Sequence, residues 1–169
     1  NKYFKNKGNI ENLAFAYKIA KKLNIKNKII IRAINNYKGL EHRQEIVFSN
    51  KKIHCVNDSK ATSFDASLQS LASYNRIYWI VGGLPKFKDN FDTKIIKKNI
   101  VHAYIIGKQT GFFEKKIRGI IPYTISNNIK NAINNIYKDL KKHENKRNTI
   151  LFSPAAASFD QFKNFEERG

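Results

Sequence analysis

The sequence predicts an α/β domain with a mostly parallel, Rossmann-like sheet and helices on both faces, preceded by a short helical segment. Two observations predict this fold. Beyond residue 44, short apolar runs typical of strands alternate with stretches that have a helical apolar period. Three of the strands also end in turns rich in Gly, Ser, Lys and Asp. Because the carboxyl ends of parallel strands share one edge of a sheet, where ligands bind, these turns predict a site.

The first 40 residues predict two helices and a linker. Residues 6–12 have the composition of a loop, and apolar residues then recur with a 3.6-residue period from Leu13 to Leu23. A second helix is predicted over residues 28–36. Gly39 interrupts the following polar stretch, residues 37–43, which indicates a linker. We therefore place a domain boundary near Tyr37, between a segment of residues 1–36 and a domain of residues 37–169.

The remaining elements follow in order. Two strands joined by a tight turn at Asn50 predict a hairpin, and a continuous apolar run over residues 76–81 predicts a buried parallel strand. Ser126 is the predicted cap of a long amphipathic helix. The predicted strands are residues 45–49, 52–57, 76–81, 100–106, 120–124 and 149–152. The predicted helices are residues 64–74, 91–98, 109–118 and 129–140, with a last one from about Phe159.

Composition narrows the class of protein. The 169 residues carry a formal charge of +19, which invites a nucleic-acid-binding interpretation. The lysines are scattered over every predicted helix face, however, and Lys, Asn and Ile are all abundant. Both observations favour a general compositional bias, as in a protein from an AT-rich genome, over nucleic-acid binding. No apolar run is long enough for a transmembrane helix, and the single cysteine excludes an intrachain disulfide. Because the chain lacks Met and opens on Asn1, we expect it to be an internal piece of a longer protein.

Each of the three polar turns has an ordinary structural explanation. Thr62-x-x-Asp65 and Ser158-x-x-Gln161 match capping boxes, and Gly82-Gly83 is typical of a tight turn. The pair Asp58 and Lys60 would contribute little as a solvated surface pair. All three turns nevertheless fall on one predicted edge. Their coincidence favours a common polar site, although periodicity leaves its chemistry open.

The residues of these turns carry a resemblance to the Mur ligases of peptidoglycan synthesis, in particular to the branch that adds D-glutamate. The motifs cover essentially the whole chain, in order. They are Gly8-Asn9-x-x-Asn12, Gly39-Leu40-x-His42-Arg43-x-Glu45, Asn57-Asp58-Ser59-Lys60-Ala61-Thr62, Gly82-Gly83-x-x-Lys86 and, from Leu151 to Gly169, Leu-x-Ser-Pro-Ala-x-Ala-Ser-x-Asp-x-Phe-x-Asn-Phe-x-x-Arg-Gly.

The resemblance implies a cytoplasmic, monomeric, ATP- and Mg²⁺-dependent enzyme of three domains. Residues 1–36 would be the tail of its central ATPase domain, and residues 37–169 its C-terminal domain. ATP would phosphorylate the carboxylate of UDP-N-acetylmuramoyl-L-alanine, and the amine of D-glutamate would attack the acyl phosphate to form an amide. No nucleic acid or membrane insertion is implied, and the 169-residue chain alone is expected to be inactive.

The same resemblance implies roles for individual residues. The residues implied to contact D-glutamate are Thr62, Lys86, Ser158 and Phe165. Arg43 would contact a phosphate, Asp58 the ribose hydroxyls, and Asn9 and Asn12 the adenine. Residues that would support these contacts are His42, Ser59, Lys60 and Phe159. No catalytic residue and no metal ligand is assigned in this chain, because the phosphate-binding loop and the metal ligands would lie upstream of Asn1.

Departures and alternatives complete the predictions. Gly8 stands where the family usually has His, and Ser63 where it commonly has Asn; Gly169 falls short of the family's usual C-terminal helix. Cys55, His54, His102 and His143 lack a spacing typical of catalysis or metal binding, and Trp79 is predicted to be core. Two alternatives stay open: a Mur-type or folylpolyglutamate-type ligase with another amino-acid substrate, and a basic nucleic-acid-binding domain.

Overall fold

The computed structural model of the chain describes residues 1–5, 7–86, 89, 92–143 and 146–169. The chain divides into two compact units, residues 1–40 and residues 41–169. The boundary predicted from sequence, near Tyr37, precedes this division. The assignment of residues 1–36 to the end of a central ATPase domain stays a prediction.

The first unit is helical. A 3₁₀ turn over Lys2–Lys5 precedes α1 (Lys7–Lys22) and α2 (Asn27–Asn36). The predicted loop over residues 6–12 is wrong where it is described: Asn6 lies outside the described residues, and the rest belongs to α1. The Asn9 side chain donates a hydrogen bond to the Tyr3 carbonyl at 2.8 Å, which joins the first turns of α1 to the preceding 3₁₀ turn.

The second unit contains one six-stranded sheet in the order β1-β2-β6-β3-β4-β5. β1 and β2 form the predicted antiparallel hairpin, and every other strand pair is parallel. The prediction of a mostly parallel sheet is confirmed. The strands are β1 (Glu45–Ser49), β2 (Ile53–Asn57), β3 (Ile77–Gly82), β4 (Ile100–Ile106), β5 (Tyr123–Asn127) and β6 (Asn148–Phe152).

Helices cover both faces of this sheet, as predicted. Successive residues of β3 point to opposite faces, so that Trp79 packs in one apolar cluster and Tyr78 in the other. The first cluster also holds buried residues of α3 (Phe64–Ser73) and α4 (Thr110–Ile117). The second holds Ala132 and Ile136 of α5 (Ile129–Leu140). All six residues of β3 are buried, which confirms its assignment as a central strand and Trp79 as core.

Two predicted helical features differ from the structure. Of the helix predicted over residues 91–98, Phe91 lies outside the described residues, and the described part forms two 3₁₀ turns, Thr93–Ile95 and Lys97–Asn99. A hydrogen bond from Thr93 Oγ1 to the Lys116 carbonyl and the burial of Ile96 fix this short connection. Ser126 does not cap α5. β5 extends to Asn127, and Asn128 is the cap, accepting a bond from the Asn131 N–H at 2.9 Å.

The last predicted helix begins too early. α6 is Phe165–Arg168, capped by Asn164. The preceding segment instead bonds to other loops: Asp160 Oδ2 accepts from the Lys108 N–H at 2.8 Å, and Gln161 Nε2 donates to the Asn127 carbonyl at 3.0 Å. These tertiary bonds replace the bonds that a helix starting at Phe159 would form.

Candidate substrate site at the carboxyl edge of the sheet

The strand order places the three polar turns side by side. β6 lies between β2 and β3, and Phe152 of β6 is level with Asn57 on one side and Ile80 on the other. The turns after β2, β6 and β3 therefore leave the sheet at the same edge, next to one another. The common edge predicted from the sequence is observed, although two of these turns are separated by about 95 residues along the chain.

The antiparallel hairpin brings a fourth segment to this edge. Because β1 runs opposite to β2, its first residue, Glu45, pairs with the last residue of β2, Asn57. The residues just before β1 therefore lie beside the first turn. The His42 carbonyl accepts a bond from the Lys60 N–H, and the His42 ring Nδ1 lies 3.0 Å from Asn57 Nδ2.

Backbone hydrogen bonds join the turns to one another. The Asp58 N–H donates to the Phe152 carbonyl at 2.7 Å, which links the turn after β2 to the end of β6. The Gly82 N–H donates to the Pro154 carbonyl at 2.9 Å, and Leu84 and Ala157 exchange two bonds of 2.9 Å. The segment after β3 is thus paired with the segment after β6.

Glycine is required at this pairing. Gly82 and Gly83 have φ values of +137° and +132°, a region closed to residues with side chains. A Cβ on Gly83 would collide with the Ala157 carbonyl oxygen, and one on Gly82 with that of Ile106. The Gly-Gly pair therefore allows two segments of backbone to approach closely just before Lys86.

The first turn leads into the N-terminus of α3. Ser63, not Thr62, caps this helix, and its hydroxyl accepts from the Ala66 N–H at 3.3 Å. The capping-box interpretation of Thr62-x-x-Asp65 is therefore wrong. Among the described residues, the half-buried Thr62 hydroxyl has no hydrogen-bond partner, so it is available to a ligand.

The loop that carries Lys86 is fastened to the same helix. The Asp89 carboxylate accepts the Phe64 N–H at 2.6 Å, and the Asp89 N–H donates to the Lys86 carbonyl at 3.1 Å. Lys86 itself is exposed and forms no ion pair with any residue that the structure describes. The backbone of Lys86 is thus tied through Asp89 to the start of α3, where backbone N–H groups favour an anion.

Asp58 is buried beneath the first turn, with only 4% of its surface exposed. Its carboxylate accepts hydrogen bonds from Ser70 Oγ at 2.5 Å, from Ser153 Oγ at 2.9 Å and from the Gln44 N–H at 3.2 Å. Burial raises the pKa of Asp58 above its ordinary value, against the opposing effect of these bonds and of the Arg43 charge. Asp58 therefore connects α3, β6 and the segment before β1, and its contact with ribose stays a prediction.

The aromatic side of the site forms around Phe165. Lys60 Nζ lies 5.0 Å from the centre of its ring, and the His42 ring meets it edge-on at 6.3 Å. The Phe165 carbonyl accepts a bond from Ser59 Oγ at 2.8 Å. Three of the predicted supporting residues thus gather at one predicted contact residue. Phe159, the fourth, is 70% exposed.

The other predicted residues have simpler surroundings. Ser158 is buried next to the Leu84–Ala157 pair, and its carbonyl accepts the N–H groups of Gln161 and Phe162. Arg43 is exposed. Asn9 and Asn12 lie one turn apart on α1 in the first unit, Asn9 buried and Asn12 exposed.

Burial raises the pKa of the Cys55 thiol, which disfavours the reactive thiolate.

Two negative findings apply to the described ranges only. No group of three or more His, Cys, Asp or Glu side chains there is arranged to hold a metal ion. None of the helices there is both long and apolar enough to cross a bilayer.

Sequence reasoning missed several residues that build the site. Ser67 and Ser70 lie on one face of α3 and are both buried, a spacing that signals a polar contact beneath the helix. The Asp89 contact with α3 was not foreseen, although its closeness to Lys86 was a signal. Arg168 belongs to the motif from Leu151 to Gly169, but no role was predicted for it; it is buried and bonded to two of the turns.

Comparison with known proteins finds relatives that are similar over the whole chain. The chain is 37% identical over all 169 residues to UDP-N-acetylmuramoylalanine–D-glutamate ligase from Rickettsia prowazekii, of which it covers 38%. It is 37% identical over 161 residues, 95% of the chain, to the ligase of that name from Agrobacterium fabrum, of which it covers 34%. The chain thus spans little more than a third of the length of these curated relatives. No family model matches it.

Solved structures show the same fold at low sequence identity. UDP-N-acetylmuramate–alanine ligase from Thermotoga maritima matches with a TM-score of 0.58 and 13% identity, over 89% of this chain and 35% of that one. The bifunctional folylpolyglutamate synthase/dihydrofolate synthase from Yersinia pestis matches with a TM-score of 0.50 and 11% identity, over 78% and 32%. The chain is therefore homologous over its whole length to a part of the UDP-N-acetylmuramoylalanine–D-glutamate ligases, and its sheet has the fold of the Mur ligase C-terminal domain.

Proposed function

We propose that this chain is part of a cytoplasmic, monomeric ligase that adds D-glutamate to UDP-N-acetylmuramoyl-L-alanine at the expense of ATP. In this reaction ATP phosphorylates the substrate carboxylate. The amine of D-glutamate then attacks the acyl phosphate, forming an amide and releasing inorganic phosphate. The observation that carries the proposal is the convergence of the family's motif residues at one sheet edge in a chain 37% identical to such ligases.

The chemistry of the edge suits an acidic amino acid. D-glutamate carries two carboxylates, which require a fixed cation and hydroxyl or N–H donors. Lys86 supplies an ammonium without a carboxylate partner among the described residues, and the unpaired Thr62 hydroxyl lies at the start of α3, where the helix dipole adds positive charge. In the proposal, Lys86 and Thr62 hold a carboxylate, Ser158 donates to the ligand, and the Phe165 ring packs against its methylene groups.

The nucleotide side of the proposal uses the segment before β1 and the first turn. The exposed guanidinium of Arg43 would pair with a phosphate, and Asp58 would reach the ribose hydroxyls. The described residues offer no cluster of metal ligands, so we derive no step through Mg²⁺ in this chain.

The test is an assay of the complete protein that contains this chain. We expect ADP release that requires both UDP-N-acetylmuramoyl-L-alanine and D-glutamate, with a product whose mass equals the sum of the two less one water. The 169-residue chain by itself is the control and should give no product. Absence of ATP-dependent amide formation by the complete protein contradicts the proposal.

The same assay separates the alternatives. Replacing D-glutamate with L-glutamate, L-alanine or L-lysine should abolish product. Turnover with one of these instead would show a ligase of another specificity. Nucleic-acid binding that falls steeply with salt, in a protein without ligase activity, would support a basic binding domain.

A further inference from the structure

Arg168 is an unusual residue for the interior of this domain. It lies in α6 and is only 5% exposed, although it carries a guanidinium. Its Nε donates to Ser59 Oγ at 3.1 Å, Nη2 to the Ser59 carbonyl at 2.8 Å, and Nη1 to the Ala156 carbonyl at 2.9 Å. One side chain thus bonds to two segments that are about 97 residues apart in the sequence.

These contacts reach all three turns of the candidate site. Ser59 belongs to the turn after β2, and Ala156 to the turn after β6. The turn after β3 is packed against the same group, since a Cβ built on Gly83 would lie 3.3 Å from Arg168 Nη1. The guanidinium therefore occupies the point where the three turns meet.

No carboxylate forms an ion pair with Arg168 within the described part of the chain. Burial lowers the pKa of Arg168 to about 10, although the charge of Asp160 acts in the opposite direction. The group therefore stays protonated at neutral pH. Because burying a charge without a counter-charge is costly, simple packing does not explain a guanidinium here. The planar shape of the guanidinium explains its presence here, because its N–H donors can bond to several acceptors at fixed positions.

We propose that Arg168 is a positioning residue for the reaction: it fixes the spacing of the three turns so that Lys86, Thr62 and Ser158 face one acidic amino acid. The inference rests on the proposed function for its kinetic consequences. Arg168 does not itself touch the substrate in this account. It acts through Ser59, Ala156 and Gly83.

The kinetic test is Arg168→Lys in the complete ligase. Lysine keeps the positive charge, but its three N–H donors share one nitrogen and cannot match acceptors that are spaced for the three nitrogens of a guanidinium. Small displacements of substrate-positioning groups cost up to about 100-fold in rate. We expect KM for D-glutamate to rise about 10- to 100-fold. The assay is run well below the thermal unfolding midpoint of the variant, so that the folded fraction equals that of the wild type. Arg118→Lys is the matched control, because Arg118 is exposed, lies outside the site and forms its ion pair with Glu114, four residues earlier.

A purely structural role predicts another result. Activity would then fall in proportion to the folded fraction, and KM for D-glutamate would stay at the wild-type value, which overturns the proposal. If Arg168→Lys does not fold, Ser59→Ala decides. It removes one acceptor of the guanidinium together with the bond from Ser59 Oγ to the Phe165 carbonyl, and leaves the other two guanidinium bonds in place. An increase of about threefold or more in KM supports positioning, and an unchanged KM contradicts it.

A second readout separates this inference from the proposed function. Amide hydrogen exchange in Arg168→Lys should accelerate at Ser59, Gly83 and Ala157 together, whether or not the wild type makes an amide with D-glutamate. Faster exchange confined to α6 would overturn the positioning role. Failure of wild-type turnover with a positive exchange result would refute the ligase proposal alone.

Discussion

The carboxylates of Asp58 and Asp139 lie in one domain but differ in their burial and in their hydrogen-bond partners. Asp58 is buried at the carboxyl edge, where two hydroxyls and a backbone N–H from three separate segments converge on it. Asp139 lies in the last turn of α5, with its side chain 26% exposed, and bonds to the Tyr104 hydroxyl and the Lys142 ammonium, each at 2.8 Å. Within the described residues, Asp58 joins distant segments through hydrogen bonds and has no salt bridge, whereas Asp139 joins α5 to the sheet and has one.

The difference shows how the domain separates stability from function. The Asp139 network ties α5 to β4 through groups that are close in space and partly in water. The edge around Asp58 keeps its turns in place with buried polar bonds, backbone pairing and glycines. This arrangement leaves the Lys86 ammonium and the Thr62 hydroxyl without partners among the described residues. Such unpaired groups are what a ligand site requires, and a merely stable domain has no need of them.

The largest expected effect comes from adding a side chain to the Gly82-Gly83 turn. Gly83→Ala should lower the free energy of unfolding of the second unit by about 2–5 kcal/mol, because it combines backbone strain with a collision against the Ala157 carbonyl. Gly119→Ala is the matched control. Gly119 also has a positive φ, +76°, but no atom lies within 4 Å of its added Cβ, so only about 1–2 kcal/mol is expected. Urea denaturation measures both, and equal losses would contradict the close approach of the two turns.

The two carboxylates should give stability changes of opposite sign with pH. Burial raises the pKa of Asp58, so its contribution to stability is fully present below the unfolded value of about 3.9 and is lost as pH rises through the folded value. Burial also acts upward on the pKa of Asp139, but the bonds from Lys142 and Tyr104 outweigh it and hold the pKa below its ordinary value. Its contribution is present above about 3.9 and is lost as pH falls.

Asp58→Asn and Asp139→Asn make the comparison measurable. Between pH 7 and about pH 3.5, the wild type should gain stability relative to Asp58→Asn and lose it relative to Asp139→Asn. Denaturation curves of the three proteins at several pH values give both differences. A common sign for the two would show that the carboxylates do not differ as described.

The smallest effect concerns the aromatic side of the site. Lys60→Met removes the cation from the Phe165 ring, and Lys141→Met removes a similar contact, 4.6 Å from the Tyr137 ring, outside the site. Each should lower the free energy of unfolding by about 0.5–1 kcal/mol. Only Lys60→Met should also raise KM for D-glutamate, by about two- to fivefold. Equal KM values for D-glutamate in the two variants would show that Lys60 is not part of the site.

Much of the fold could be predicted from the sequence because the strands are strongly marked. β1 and β4 have the predicted bounds, and β2 and β6 differ from them by one residue at one end. β3 lies one residue later than predicted at both ends, and β5 lies three residues later. The differences arise where tertiary bonds compete with local pattern. Asp160 and Gln161 bond to distant loops, so α6 begins only at Phe165. The helix predicted near residue 93 is too short for its apolar period to decide the type of structure.

The site could be predicted as a set of turns but not as a set of bonds. Parallel strands dictate that polar turns at their carboxyl ends share an edge, which needs only the strand assignment. The partners of Asp58 and Arg168 depend on β6 lying between β2 and β3, a strand order that local patterns do not contain. The bond between Arg168 and Ser59, which are 109 positions apart, is therefore found only in the structure.

The central claim is that the exposed ammonium of Lys86 binds a carboxylate of D-glutamate at this edge. Lys86→Ala in the complete ligase tests it most directly, beside Lys130→Ala, an exposed lysine of α5 without an assigned role. Loss of one charged hydrogen bond corresponds to roughly 1.5–3 kcal/mol, so KM for D-glutamate should rise about 10- to 150-fold in Lys86→Ala while KM for ATP changes far less. Equal D-glutamate kinetics in Lys86→Ala and Lys130→Ala would contradict the account.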